Sequence, residues 1–228
     1  MSESLTPIQR EYLADIYRLQ YPDYSPSTDP VSTNAIAAQL EVSAPAATKM
    51  IRRLEQAGFV RHERYHGVRL TDSGERAALI SIRSHRLLEA FLVSVMRFDW
   101  EEVHEYAHRL EPAIDARFEA RMDELAGYPR RCPHGDPIPS PEGKMPIVND
   151  VAIMDCAIGT TGTMRRIRNH TPEKLRYLGE LGLLPGARIR LLGKAPFNGP
   201  VRILTMKGEE HVLGVELARD LLIEIGDW

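Results

Sequence analysis

Two imidazoles and two carboxylates recur along the stretch Val103 to Asp115, VHEYAHRLEPAID. On a helical period His104, His108, Glu111 and Asp115 fall at i, i+4, i+7 and i+11, within roughly 60° of one another. Val103, Ala107, Leu110 and Ile114 form an apolar stripe beside them, so the donors line one edge of a core-facing helix. A second pair, His85 and Glu89, stands at i, i+4 in the preceding segment. Nitrogen and oxygen donors grouped at the rim of an apolar face are the ingredients of a divalent-metal site.

The elements around these residues say what such a metal could serve. Pro7 to Leu19 has helical spacing of Ile8, Tyr12, Ile16 and Leu19, and it carries Glu11. A proline-rich loop follows, then a short helix over NAIAAQLE capped by Ser32 or Thr33, and a second helix, APAATKMIRRLEQ, from about Ala44 to Gln56. Ser43 suits its N-cap and Pro45 its first turn. Two short helices joined tightly, the second small at its start and basic later on, match a helix-turn-helix. The alternation in FVRHERYHGVRL, with Gly67 at the turn, predicts a hairpin carrying Arg61, Arg64, His66 and Arg69. Net charge is −3, yet residues 49–69 hold six Lys/Arg against two Glu. This local basic patch on a winged helix points to duplex DNA.

A long helix capped by Thr71 or Asp72 carries Leu87, Leu88, Phe91, Leu92 and Val95, a stripe that suits a core or a dimer interface. The Val103 helix is expected to continue past Pro112 to near Gly127. Residues 128–149 hold six prolines and read as a linker region. His134, in His-Gly-Asp-Pro, reads as a turn, and Cys132 and Cys156 as bystander thiols. The remaining residues give a helix capped by Thr171 among short strands, as in a small, partly open β-barrel. No apolar run approaches the ~20 residues of a membrane helix, and the N-terminus lacks the pattern of a signal peptide. With no disulfide framework either, the expected compartment is the cytoplasm.

With these residues placed, the chain resembles the diphtheria-toxin-repressor family of iron- and manganese-dependent transcriptional regulators. The likeness rests on the winged helix, the segments SHRLLE and VHEYAHRLE, the phrase CPHGDPIP and the C-terminal part. It implies a mainly α fold: a winged helix-turn-helix over 1–74, a helical dimerisation and metal-binding domain over 75–140, a linker over 141–149, and an SH3-like (FeoA-type) barrel over 150–228. It also implies a homodimer that represses metal-homeostasis genes by binding double-stranded operator DNA, with no membrane partner, organic cofactor or enzymatic activity.

Carried over residue by residue, the family's ancillary metal site matches His85, Glu89 and His104. Its primary site matches Glu11, His108 and Glu111. The operator-contacting positions match Ser43, Pro45, Thr48 and Lys49, with His66 at the wing tip. Iron-sensing members commonly carry Cys and Met where this chain has His108 and Glu11. The harder donor set favours Mn(II), with Fe(II) as the other choice. Pro112 stands where many members have a metal-binding His. In a continuous helix it would leave the His108 carbonyl free to act as a ligand, with Asp115 one turn on. His170 and Glu173 are candidate ligands from the C-terminal part. Without a cation the free carboxylates Glu11, Glu111 and Asp115 repel, which gives a physical reason for metal to gate DNA binding. The competing readings are a metal-independent winged-helix regulator and a His/carboxylate metallohydrolase. The second lacks a HExxH or phosphate loop and leaves the basic hairpin unexplained.

Overall fold

A computed structural model describes residues 5–27, 29–63 and 66–226. Its contacts divide into two compact units that do not follow sequence order. The first comprises the chain up to His85 together with Glu111–Ala116 and Ile138–Pro146; the second comprises Arg86–Leu110, Arg117–Pro137 and the residues from Ile147 onward.

In the first unit, helix α1 (Pro7–Gln20) starts at a capping box in which Thr6 and Gln9 satisfy each other's backbone N–H groups. Tyr12, Leu13, Ile16 and Tyr17 form its buried face. Helix α2 (Thr33–Gln39) is capped by Ser32, and α3 (Ala44–Gln56) by Ser43. Ala47, Ile51 and Leu54, at i, i+4 and i+7, bury the inner face of α3 in the same core as Ile36 and Ile16. The outer face keeps Pro45, Lys49, Arg52 and Arg53 exposed. Strands β1 (Val60–Glu63) and β2 (Gly67–Leu70) pair antiparallel with Val60 opposite Leu70. Arg64 lies outside the described residues. Gln20 Oε1 accepts the Leu70 N–H, and the Tyr21 hydroxyl donates to Glu75, fastening the end of α1 to the hairpin and to the next helix.

Helix α4 (Asp72–Ser94) is continuous over 23 residues. The expected single helix after it is broken. Helix α5 (Val103–Leu110) stops, Glu111–Ala113 form a 3-10 turn, and α6 (Ala116–Leu125) starts afresh. Pro112 sits in that turn, where its missing N–H and fixed φ are tolerated. The four-donor stripe therefore ends at His108. The premise that Pro112 frees a carbonyl inside an unbroken helix fails with it.

In the second unit six antiparallel strands run in the order β3 (Val151–Ala152), β8 (Leu221–Ile225), β4 (Thr161–Ile167), β5 (Arg188–Lys194), β6 (Val201–Thr205) and β7 (Glu210–Leu213). The last strand thus inserts between two early ones. Helices α7 (Pro172–Glu180) and α8 (Val215–Arg219) add Leu175, Leu178 and Ala218 to the core with Met164, Ile189 and Ile203. Among the described residues, no helix is long and apolar enough to cross a membrane.

Candidate metal centres and DNA-binding face

On α4, Ser81, His85 and Glu89 follow one another at intervals of one turn. Glu111, at the start of the 3-10 turn, accepts the Ser81 hydroxyl at 2.8 Å and lies 3.1 Å from His85 Nδ1. Burial alone would raise the Glu111 pKa. The hydrogen bond and charge of His85, the Ser81 hydroxyl and Arg18 together carry it below the usual carboxylate range. This pairing joins one residue from each of the two expected donor sets.

Glu89 is 2% exposed, and it organises the second unit's cluster. Its Oε1 lies 3.0 Å from Nδ1 of the exposed His104 on α5, and its Oε2 lies 3.5 Å from Nδ1 of His134. His134 is 0% exposed. Its Nε2 lies 2.8 Å from the Trp100 carbonyl, which can only accept, so the proton belongs on Nε2 and Nδ1 is aimed at Glu89 and Cys132. Cys132 Sγ stands 4.0 Å from that Nδ1. Glu89, Cys132 and His134 each bring a ligand atom within 4.8 Å of the other two. His85, one turn before Glu89 on α4, is the partner of Glu111. Glu11, His108 and Asp115, all exposed, belong to neither group.

The electrostatics around His134 are those of a buried donor cluster. Burial pushes its imidazole down, but the bond and charge of Glu89, the Trp100 carbonyl and Asp136 carry it above the ordinary histidine value. His170 stacks on it at 4.1 Å and is pushed down to about 4, by burial first and then by the charge of His134. Burial and the charges of Glu89 and Asp136 raise the Cys132 thiol. Glu173 is exposed on the first turn of α7.

His134 and Cys132 are what sequence reasoning missed. The loop is a turn, since the Gly135 N–H reaches the Cys132 carbonyl, but it is a buried one. Arg86 donates to the Pro137 carbonyl, and Arg131 makes a bidentate bond to Asp150 at 2.7 and 2.9 Å. Pro133 and Pro137 therefore lie in a bonded stretch, while residues 141–149 are exposed or half-buried. Two cysteine and histidine donors one residue apart, with prolines stiffening the loop, were the available signal.

The outer side of α3 carries the positions expected to contact an operator. Ala44, Pro45, Thr48, Lys49, Arg52 and Arg53 line one open recess, with Gln56 at its far end. Ser43 caps the helix by accepting from Ala46 N, and Thr48 Oγ1 donates to the Ala44 carbonyl. His66 is exposed at the turn of the hairpin.

Three family models match successive parts of the chain. Residues 4–68 match the N-terminal DNA-binding domain of iron-dependent repressors, 71–140 their metal-binding and dimerisation domain, and 151–225 the FeoA domain. A solved manganese-dependent transcriptional repressor in complex with manganese is 38% identical, covering 96% of this chain and 100% of its own, at a TM-score of 0.87. The manganese regulator SloR is 29% identical, covering 97% and 100%, at 0.75. The iron-dependent repressor IdeR of Mycobacterium tuberculosis (strain ATCC 25618 / H37Rv) is 28% identical over 225 residues, 93% of this chain and 95% of that protein. A winged helix with a basic recess, metal-type donor clusters and these full-length likenesses agree: the chain belongs to the diphtheria-toxin-repressor family of metal-dependent, DNA-binding transcriptional repressors.

Proposed function

We propose that this repressor is a cytoplasmic homodimer that binds a palindromic operator when Mn(II) occupies two donor sets. The observation that carries the reading is the buried cluster centred on Glu89. A carboxylate, an imidazole nitrogen and a thiol converge there without solvent, a costly arrangement unless protons or a cation hold it together. The family match assigns Glu11, His108 and Glu111 to the other set. It offers only nitrogen and oxygen, which suits Mn(II) and next Fe(II). The set of Glu89, Cys132 and His134, flanked by His104 and His170, carries one sulfur donor. His134 Nδ1 and the Cys132 sulfur would hold the cation as deprotonated donors, with the Trp100 carbonyl keeping the imidazole turned toward it. A bound cation supplies the positive charge that lets the carboxylates stay together.

Tyr106, Leu110, Phe118 and Leu125 on α5 and α6 are large apolar side chains left exposed, which supports a second copy covering them. The six C-terminal strands support the SH3-like reading of that part. The test is fluorescence anisotropy of the full-length protein on a duplex selected from a randomised library, at fixed salt. Mn(II) should tighten binding at least about a hundredfold over chelator, equivalent to about 2.8 kcal/mol, with Fe(II) and Zn(II) as comparison arms. Equal binding with Mn(II) and with chelator refutes metal gating.

A further inference from the structure

The recess on α3 is chemically uneven. At its N-terminal end Ala44, Pro45 and Ala46 carry no side-chain donor or acceptor. Ser43 Oγ accepts the Ala46 N–H at 3.4 Å, and the Thr48 hydroxyl gives its proton to the Ala44 carbonyl at 2.8 Å. The leading turn therefore presents mainly methyl and methylene surface, beside the short hydroxyls of Ser43 and Thr48, each already in a backbone bond. The first long donor along the helix is Lys49, which is exposed in the same recess. Arg52 and Gln56 follow three and seven residues later, about 4.5 and 10.5 Å further along the axis at 1.5 Å per residue. A recognition helix offers its N-terminal residues to base edges, and basic groups further along it meet phosphates.

We propose that Lys49 is the side chain of α3 that reads a base edge by hydrogen bonding, and that the base it selects is guanine. The inference rests on the operator-binding reading above. An ammonium group has three donors and no acceptor. In the major groove guanine alone presents two adjacent acceptors, O6 and N7. Adenine sets an amino donor beside N7, cytosine offers an amino group, and thymine places a methyl beside O4. The ammonium is attracted by the first pattern and repelled or blocked by the others.

The experiment selects binding sites from a duplex library with a randomised central segment, using the full-length protein with Mn(II). The wild type should enrich a motif with one guanine position per half-site, favoured about tenfold, the lower end of what a good base contact gives. Lys49→Ala should level that position and leave the others. Lys49→Gln should move the preference to adenine, whose N6 and N7 a carboxamide matches. Arg52→Ala should weaken all sequences alike and lower the salt slope by about one. If Lys49→Ala instead weakens all sequences alike, lowers the salt slope by about one and keeps the motif, Lys49 is a phosphate contact and the proposal falls alone. A wild type that enriches no sequence overturns the operator reading, and this proposal with it.

Discussion

Glu89→Gln separates the electrostatic from the metal-binding role of the buried cluster. The amide has the shape of the carboxylate and can still meet His104 Nδ1 and His134 Nδ1, which now lie 3.0 and 3.5 Å from its oxygens. Without metal the change removes a buried charge as well as its pairing, and His134 can shed its proton. The loss is then that of a charge-assisted bond replaced by a neutral one, about 1–1.5 kcal/mol. With metal the loss is larger. A ligand present at a thousandfold its dissociation constant adds about 4.1 kcal/mol of stability. If the amide weakens the site a hundredfold, the same concentration adds RT ln 11, about 1.4 kcal/mol. The metal-dependent increment should therefore fall by about 2.7 kcal/mol. Urea unfolding of wild type and variant, each with excess Mn(II) and with chelator, gives the four values required. The drop is the readout, because a cation held at Glu111 adds equally to both proteins. An increment that is the same in wild type and variant removes Glu89 from the ligand set.

Two further outcomes follow from other parts of the structure. Titrating Cd(II) into the metal-free protein should raise an ultraviolet thiolate-to-metal charge-transfer band that Cys132→Ser abolishes and Cys156→Ser keeps. Cys156 lies apart from the cluster, its thiol donating to the Ala152 carbonyl, so the opposite pattern would assign the sulfur wrongly. At Tyr21, burial and the bond to Glu75 push the phenol up to about 12. The neutral form is favoured by folding, so its contribution is complete below the unfolded value near 10 and is lost as pH rises through about 12. Ultraviolet titration should show a tyrosinate step near pH 12 that Tyr21→Phe removes; an unchanged amplitude at that pH in the variant contradicts the assignment.

Local chemistry made the first unit legible. Ser43 and Pro45 start α3 as an N-cap and early-turn proline should, and the alternation around Gly67 became β1 and β2. A periodicity argument failed at Pro112, because His104, His108 and Glu111 keep helical spacing across a break that a proline makes cheap. Cys132 and His134 beside Glu89 escaped for a different reason. His134 is held by Trp100, 34 residues earlier in the chain, and the stack with His170 comes from 36 residues later. Spacing along the chain carries no trace of such partners. The same applies to β8, whose place between β3 and β4 is a tertiary choice.

Gly135 adopts φ +94, and a Cβ there would stand 1.8 Å from the Arg165 carbonyl on β4. Beside it the Ile167 N–H donates to the His134 carbonyl at 3.0 Å. The loop bearing Cys132 and His134 is thus moulded against a strand made about 30 residues later in synthesis. On a ribosome adding residues at roughly 5–20 per second, the loop waits roughly 2–6 s for that strand before Cys132 and His134 can settle beside Glu89. The packing that sets Cys132 and His134 beside Glu89 is therefore made by a strand that the chain supplies later, as much as by the loop's own residues.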